Sequence, residues 1–134
     1  MKDKLQISVD NIPAASRFAV GNDLVFVPDF KLSLTDLFKQ KVYTAEEIAY
    51  CESFSDSLLR YASTWAAKEA VYKAFKQVSS ATLAWKNICI TRKKAAGKPV
   101  VTLALQQQQP NISLSISHDG DYVWAIAFIE TTKF

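Results

Sequence analysis

The sequence predicts an α+β domain, and three observations support this fold class. A nearly continuous apolar strand comes first, segments of helical spacing follow, and four segments of strand-like alternation come last. Helices and strands that are segregated along the chain, rather than alternating, are typical of an α+β fold. The 134 residues suit one domain, which we expect at residues 18–134 behind a lead-in segment at residues 1–17.

The first predicted element is a buried strand at residues 18–27, FAVGNDLVFV, which Pro28 ends. Helical spacing then covers residues 34–41 and residues 45–59. Thr44 followed three residues later by Glu47 is a capping box, so the second of these helices is expected to begin directly after Thr44.

The longest helix is predicted at about residues 59–78. This segment contains no Gly or Pro and is rich in Ala, Lys and Glu, which are strong helix formers. It is therefore expected to be the central helix of the domain.

Two antiparallel hairpins complete the prediction. Residues 85–91 alternate, a turn at residues 94–99 reverses the chain, and residues 100–105 return. A polar connector leads to the second hairpin, in which residues 112–118 and 122–130 flank an Asp119-Gly120 turn.

Composition and charge exclude several function classes. No apolar run approaches the ~20 residues of a membrane helix, and the polar N terminus is unlike a signal peptide, so we expect a cytoplasmic protein without a membrane partner. One histidine and two separated cysteines are too few soft ligands for zinc. The net charge of +3 favours an acidic partner only weakly, and without an aromatic RNA-binding pattern we expect no nucleic-acid partner.

Two acidic residues are candidates for a metal site. Asp23 lies inside an apolar strand, where a carboxylate is costly unless a cation or donors satisfy it; the alternative is a strand-end Asp bonded to backbone. Glu69 has small helical neighbours, Ala62 and Ala66, although a plain surface pair with Lys73 is the alternative. Mg²⁺ commonly takes one or two protein carboxylates, so together the acids suggest a magnesium and phosphate site.

His118 is the only histidine, and it ends a predicted strand whose apolar residues share its face. A core histidine is one interpretation. Its position beside a turn also allows a phosphate donor or a general base.

Several motifs occur in the order seen in holo-acyl-carrier-protein synthases, the short bacterial-type 4'-phosphopantetheinyl transferases, which this chain resembles over residues 18–130. They are Gly21-Asn22-Asp23, residues 38–51 (FKQKVYTAEEIAYC), residues 65–73 (WAAKEAVYK), Trp85-Lys86-Asn87-Ile88, Gly97-Lys98-Pro99 and Ser115-Ile116-Ser117-His118-Asp119. The combination is specific, whereas each motif alone is weak.

The resemblance implies a 4'-phosphopantetheinyl transferase-like fold and a reaction. A serine hydroxyl of an apo acyl carrier protein attacks the β-phosphate of coenzyme A, phosphopantetheine is transferred, and 3',5'-ADP leaves. By motif, Asp23 and Glu69 hold Mg²⁺ on the pyrophosphate, Lys73 contacts the phosphates, and His118 lies beside the pyrophosphate. A carrier of fatty-acid, polyketide or nonribosomal synthesis remains open.

The resemblance also assigns the nucleotide contacts. Lys98 and Pro99 belong to the turn near the nucleotide. This chain departs from the family where a glycine turn usually follows the long helix, because Ser79 and Ser80 stand there after Val78. We expect their hydroxyls to donate to a phosphate in place of the missing backbone contacts; the alternative is that the turn has moved away and coenzyme A is held less tightly.

The resemblance also implies binding partners. The family implies a homotrimer with sites at subunit boundaries, and Lys31, Lys39 and Lys41 are candidates for docking an acidic carrier protein. The alternative function is a catalytically weak, transferase-like protein that binds the carrier protein or coenzyme A.

Overall fold

The computed structural model describes residues 18–92, 97–104 and 106–131. The lead-in predicted at residues 1–17, part of the first hairpin's turn and Leu105 lie outside these residues. The described elements confirm the α+β order, with one strand, then helices, then two antiparallel hairpins.

In chain order the elements are β1 (Phe18–Phe26), α1 (Val27–Ser33), α2 (Asp36–Val42), α3 (Ala45–Glu52), α4 (Ser57–Val78), a 3₁₀ helix (Trp85–Asn87), β2 (Ile88–Thr91), β3 (Val100–Leu103), β4 (Ile112–Asp119) and β5 (Tyr122–Glu130). Among the described residues, no helix is long and apolar enough to cross a membrane.

The strands form two antiparallel sheets. The larger has the order β1-β5-β4, and the smaller contains β2 and β3. In the larger sheet Asp23 lies opposite Ala125, which lies opposite Ile116, so these three residues share one face. The return of the last strand to pair with the first closes the fold, and it places the N-terminal strand against both the last hairpin and α4.

Helix α4 packs on the inner face of the larger sheet through small side chains. Five of its alanines are fully buried: Ala62, Ala66, Ala67, Ala70 and Ala74. Gly21 faces them from β1, where an added Cβ would collide with the Ala70 carbonyl oxygen and lie 2.7 Å from the Ala74 nitrogen. The helix therefore lies unusually close to the strand that carries Asp23.

The helical predictions need two corrections. Helix α1 was not predicted, because Pro28 was interpreted only as the end of a strand, whereas it also occupies the first turn of a helix, where its missing N–H costs nothing. The single helix predicted at residues 45–59 is wrong. It is broken after α3, where the Ser53 hydroxyl bonds the Tyr50 carbonyl oxygen at 2.6 Å and competes with helical bonding.

The predicted hairpins hold with smaller corrections. Residues 85–91 are not all strand, since a 3₁₀ turn precedes β2. The two-residue loop of the second hairpin is Gly120-Asp121, one position later than the predicted Asp-Gly turn. Gly120 has a φ of +57°, a conformation that favours glycine, and it fixes the position of the loop.

Candidate active site

Asp23 lies in the middle of β1 on its inward face, next to α4. The strand alternates between exposed and buried residues, and Asp23 occupies a buried position with 8% of its surface exposed. The interpretation as a strand-end aspartate is therefore wrong. A carboxylate at this position needs a partner of opposite charge or several donors.

Lys73 on α4 is that partner. Its Nζ lies 2.9 Å from Asp23 Oδ1 and also donates to the Asn22 carbonyl oxygen at 3.1 Å. The Lys73 side chain is itself about half exposed, at 53%. The interaction joins β1 to α4 and leaves the ammonium accessible to an anion from solvent.

Glu69 lies one helical turn before Lys73, beside Asp23. Burial, a hydrogen bond with the Asp23 side chain and the negative charge of Asp23 raise the pKa of Glu69 to about 8, while Lys73 opposes this shift. Two carboxyl groups, those of Asp23 and Glu69, therefore lie next to each other and interact with the same lysine. Such a pair holds a proton at neutral pH or accepts a cation.

Gly21 determines how closely these groups meet. It lies two residues before Asp23 on the same face of β1, and it allows the backbone of α4 to approach the strand. The glycine of the Gly21-Asn22-Asp23 motif thus has a packing role that positions the carboxyl pair.

A cavity of about 480 Å³ opens over the two acids. Its wall continues into an edge-to-face aromatic contact, with the Phe38 and Trp65 ring centroids 5.2 Å apart. Asp29 adds a third carboxylate to the lining. The cavity combines a charged floor with apolar walls, as ligand sites commonly do.

The two acids fit a magnesium ion better than a softer metal. Within residues 18–92, 97–104 and 106–131, no group of three or more His, Cys, Asp or Glu residues could hold a metal ion. Mg²⁺ needs only one or two carboxylates and completes its coordination with water and phosphate oxygens. Asp23 and Glu69 provide hard oxygen donors, and burial together with the neighbouring Asp23 carboxyl raises the pKa of Glu69, which a bound cation would oppose.

His118 lies on the other flank of α4, in the second strand from Asp23. It is exposed, so the interpretation as a core histidine is wrong, although its strand register confirms the shared face with Leu114 and Ile116. With Pro99 it lines a cavity of about 240 Å³, whereas Lys98 is exposed. Sheet geometry separates the Asp23 and His118 Cα atoms by about 12 Å.

Ser79 and Ser80 lie beyond the C-terminal end of α4. The Ser79 oxygen accepts a hydrogen bond from the Ala81 N–H at 3.1 Å, and Ser80 is exposed. Ten residues of helix separate Glu69 from Ser79, a rise of about 15 Å. The structure therefore does not bring the serines to the acid pair.

The three predicted docking lysines differ in their surroundings. Lys31 and Lys41 are exposed in the last turns of α1 and α2. Lys39 pairs with Glu52 at 3.5 Å and lies 4.7 Å over the Tyr61 ring, so it already has an acidic partner.

Sequence reasoning missed a second lysine–carboxylate pair on α4. Lys68 Nζ lies 2.7 Å from Glu47 Oε1, and both side chains are buried. Glu47 was recognised only as the capping-box residue, a role that the structure confirms. Its second role had no local signal, because the partner belongs to another helix.

Sequence reasoning also missed the residues that share the cavity of His118. Arg60, Arg92, Tyr50 and Ser63 line it together with Pro99. Arg92 begins a short basic run, Arg92-Lys93-Lys94, next to the predicted hairpin turn. The only available signal was its basic cluster, which does not indicate which helix the guanidinium faces.

The chain matches known proteins over most of its length. The sequence model of the 4'-phosphopantetheinyl transferase superfamily matches residues 19–127. Holo-acyl-carrier-protein synthase of Chlamydia muridarum is 36% identical over 122 residues, which cover 87% of this chain and 97% of that protein. The enzyme of the same name from Chlorobaculum parvum is 38% identical over 93 residues, covering 69% of this chain and 79% of that protein.

Comparison with solved structures supports the same family. The ACPS–CoA complex of Chronobacterium ammoniagenes superposes with a TM-score of 0.72 at 27% identity, and the match covers 87% of this chain and 99% of that one. The sequence motifs, the strand order and these matches agree. This chain belongs to the 4'-phosphopantetheinyl transferase superfamily.

Proposed function

We propose that this protein transfers 4'-phosphopantetheine from coenzyme A to a serine of an apo acyl carrier protein and releases 3',5'-ADP. The observation that carries the proposal is the Asp23–Glu69 carboxyl pair, held beside Lys73 at the floor of an open cavity. Family membership and the close relatives, which are holo-acyl-carrier-protein synthases, support the same activity.

Asp23 and Glu69 are the proposed Mg²⁺ ligands. A bound Mg²⁺ would supply charge neutralisation on the pyrophosphate. Before a metal binds, Glu69 retains a proton because of its raised pKa, and Lys73 neutralises Asp23. The carboxyl pair is thus kept together at close range without an unbalanced buried charge.

The transfer needs positioning and charge neutralisation more than a protein nucleophile. The carrier serine releases its proton to solvent, its oxygen bonds the β-phosphorus of coenzyme A, and the bond from that phosphorus to the bridging oxygen breaks. The electron pair of the broken bond leaves with 3',5'-ADP. Lys73 holds its ammonium where negative charge develops on the phosphates, and its half-exposed side chain can follow that charge.

Mass spectrometry tests this function directly. Apo carrier protein incubated with coenzyme A, Mg²⁺ and this protein should gain the mass of one phosphopantetheine. An unchanged mass, together with co-elution of carrier or coenzyme A with the protein, would instead support the catalytically weak binding alternative. The cytoplasmic location remains part of the proposal.

A homotrimer with sites shared between subunits is part of the same proposal. His118 and the carboxyl pair line separate cavities within one chain, which suits a site completed by a second copy. The outer face of the larger sheet also carries exposed apolar side chains in cross-strand contact, as interaction surfaces do. They include Phe18, Val20, Leu24, Phe26, Tyr122, Trp124 and Phe128.

Mixing two inactive variants tests the shared site. Asp23→Asn and His118→Ala proteins, exchanged into mixed assemblies, should recover part of the wild-type turnover, since some sites then combine an intact Asp23 with an intact His118 from another chain. No recovery in assemblies that native mass spectrometry shows to be mixed would contradict sharing, and an active monomer in light scattering would contradict the trimer.

The proposed carrier-docking surface lies on α1 and α2, around the cavity of the carboxyl pair. Lys31 and Lys41 are exposed there, while Lys39 is engaged by Glu52. We therefore expect Lys31→Glu with Lys41→Glu to raise the KM for an acidic carrier protein in a salt-dependent way, and Lys39→Glu to have a smaller effect. An unchanged KM in the double variant would remove the docking role.

Ser79 and Ser80 remain proposed phosphate donors, and Lys98 and Pro99 remain proposed nucleotide contacts. The Ser79 oxygen uses an acceptor site for Ala81, so its own hydrogen is not needed for that bond. Ser79→Ala with Ser80→Ala should raise the KM for coenzyme A several-fold, corresponding to about 1 kcal/mol. An unaltered KM would mean that the turn lies away from the cofactor.

A further inference from the structure

The cavity over the carboxyl pair is acidic. The described residues that line it include three carboxylates, Asp23, Asp29 and Glu69, and none of these described lining residues is a lysine, an arginine or a histidine. Lys73 contacts Asp23 from α4 and is not part of this lining. A cavity with such a lining attracts a cation and repels a phosphate group. The pyrophosphate of coenzyme A is therefore disfavoured as the first ligand to enter it.

Lys73 is held at two points that differ in charge. Its Nζ donates to the ionised Asp23 Oδ1 at 2.9 Å and to the neutral Asn22 carbonyl oxygen of β1 at 3.1 Å. An ammonium has three N–H donors, so one remains for a further acceptor. The Asn22 contact does not depend on the charge of Asp23, and it can hold the ammonium beside the site after the Asp23 contact is lost.

The two members of this ion pair differ in exposure. The Asp23 side chain is 10% exposed, whereas that of Lys73 is 53% exposed. A buried carboxylate needs a cation close to it, but a half-exposed lysine is well solvated when it leaves such a pair. Asp23 is therefore the fixed member, and Lys73 is the member that can be exchanged.

The charges at the site also favour an exchange. Without a divalent cation, Lys73 balances Asp23, and Glu69 keeps its proton because its pKa is raised to about 8. When both carboxylates are ionised and hold a divalent cation, their two negative charges are already balanced. The Lys73 ammonium is then surplus and is repelled by the neighbouring cation. A phosphate group is the partner that restores its charge balance.

We propose that Lys73 acts as a stand-in cation for Asp23 in the absence of a divalent metal and leaves Asp23 when the metal binds, so that its ammonium becomes free for the pyrophosphate only after the metal has entered. The inference rests on the proposed function and deepens it, because it assigns an order of binding in which the metal enters before coenzyme A or together with it. Lys73 thus competes with the metal and cooperates with the phosphate.

Metal binding without coenzyme A tests the competition. We would titrate the protein with Mg²⁺ alone in a calorimeter at about pH 9, where the Glu69 proton competes least. Lys73→Gln should lower the Kd for Mg²⁺ by about three- to fivefold, the effect expected for loss of a half-exposed ion pair. An unchanged or higher Kd in this variant would overturn the proposal.

Lys76→Gln is the matched control. Lys76 is exposed on the same helix, and its Nζ donates to the Ala81 carbonyl oxygen at 3.1 Å rather than to Asp23. This variant removes the same charge from α4 and should leave the Kd for Mg²⁺ within about twofold of wild type. A decrease as large as that of Lys73→Gln would reveal a general effect of charge and would overturn the exchange.

The effect of Lys73→Gln should reverse in sign for coenzyme A. At saturating Mg²⁺ the variant should bind coenzyme A several-fold more weakly than wild type, because the freed ammonium is missing. An unchanged affinity would overturn the part of the proposal that gives the ammonium to the pyrophosphate.

A crystal structure with Mg²⁺ alone shows the exchange itself. Lys73 Nζ should then lie more than about 4 Å, the limit for an ion pair, from both carboxylate oxygens of Asp23. An unbroken contact beside a bound Mg²⁺ would overturn the proposal.

The Mg²⁺ titration also separates this inference from the proposed function, because it requires neither coenzyme A nor a carrier protein. Tighter Mg²⁺ binding by Lys73→Gln than by wild type and Lys76→Gln would support the exchange even if no transfer is detected. Transfer by the wild-type protein, together with an unchanged Mg²⁺ affinity in Lys73→Gln, would overturn the exchange and leave the proposed function standing.

Discussion

Helix α4 carries two lysine–carboxylate pairs five residues apart, and they differ in almost every physical respect. Lys68 is fully buried and donates to Glu47, to the Val42 carbonyl oxygen at 2.8 Å and to the Trp85 carbonyl oxygen at 2.9 Å. Lys73 is half exposed, and its partner Asp23 is hydrogen-bonded to a second carboxyl group, that of Glu69.

We call Lys68–Glu47 the closed pair, because both side chains are buried. Glu47 also accepts from the backbone N–H groups of Thr44 and Ile90, both at 2.8 Å, so both carboxylate oxygens are satisfied. The network connects α2, α3, α4 and β2, and both charged side chains are buried within it. The Lys73–Asp23 pair is open, because a second carboxyl group, that of Glu69, lies beside it and both carboxyl groups face a cavity. Similar residues thus make a structural connection where every group is satisfied, and a candidate catalytic centre where a second carboxyl group has no cation of its own.

The largest expected effect is on turnover at the open pair. Asp23→Asn and Glu69→Gln should each lower the transfer rate by about 1,000-fold or more, because both remove metal-binding charge with little change in shape. The double variant should be little worse than either single variant, since the two residues act as a unit. Activity within tenfold of wild type in either single variant would contradict the metal assignment.

The next effect is on stability at the closed pair. Lys68→Ala should lower the free energy of unfolding by about 3–5 kcal/mol, because it leaves the Glu47 charge buried without its cation. Lys73→Ala removes a half-exposed partner and should cost about 1 kcal/mol or less while abolishing most turnover. Urea denaturation of the two variants measures this contrast, and similar losses of stability would remove the distinction between the pairs.

Gly21→Ala should affect both properties moderately. The added Cβ meets backbone atoms of α4, which can move only by shifting the helix. We expect a loss of about 1–3 kcal/mol in stability, as for other overpacked sites, and a lower kcat, because the shift separates Asp23 from Lys73. Thermal unfolding and steady-state assays at saturating coenzyme A would measure both. A wild-type kcat in a destabilised Gly21→Ala variant would show that the close contact between Gly21 and α4 does not contribute to catalysis.

The smallest effect is a pH dependence of the metal-free protein. The pKa of Glu69 is raised from its ordinary value of 4.5 to about 8, so the folded state binds this proton more tightly than the unfolded state. Its stabilising contribution is complete below about pH 4.5 and is lost as the pH rises towards and through 8. Unfolding measurements in EDTA should show this decline in wild type and a weaker one in Glu69→Gln. Equal slopes would contradict the raised pKa.

Local signals in the sequence predicted much of the fold. The capping box at Thr44, the uninterrupted long helix and the two hairpins depend on residues close together in the chain, and the structure confirms them. Helix α1 was missed because Pro28 ends a strand and begins a helix equally well. The break after α3 was missed because Ser53 competes with helical bonding only through a specific side-chain contact.

The sequence predicted some residues of the candidate site and missed others. Asp23 and Lys73 are 50 residues apart, so their contact has no local signal, and only the resemblance of the motifs brought them together. The same resemblance could not indicate Arg60 or Arg92, which lie outside the matched motifs, and it assigned no role to Tyr50, which lies within residues 38–51. Long-range packing of α4 against the hairpins determines their cavity, and the sequence pattern does not encode it at any one position.

The central claim is that the open pair carries catalysis and the closed pair carries structure. The most direct test is the single-turnover transfer rate of Asp23→Asn and Glu47→Gln proteins at saturating coenzyme A and carrier protein, each normalised to its folded fraction. We predict a loss of about 1,000-fold for Asp23→Asn and a rate within about threefold of wild type for folded Glu47→Gln. Comparable losses in the two variants, or near wild-type transfer by Asp23→Asn, would contradict the account.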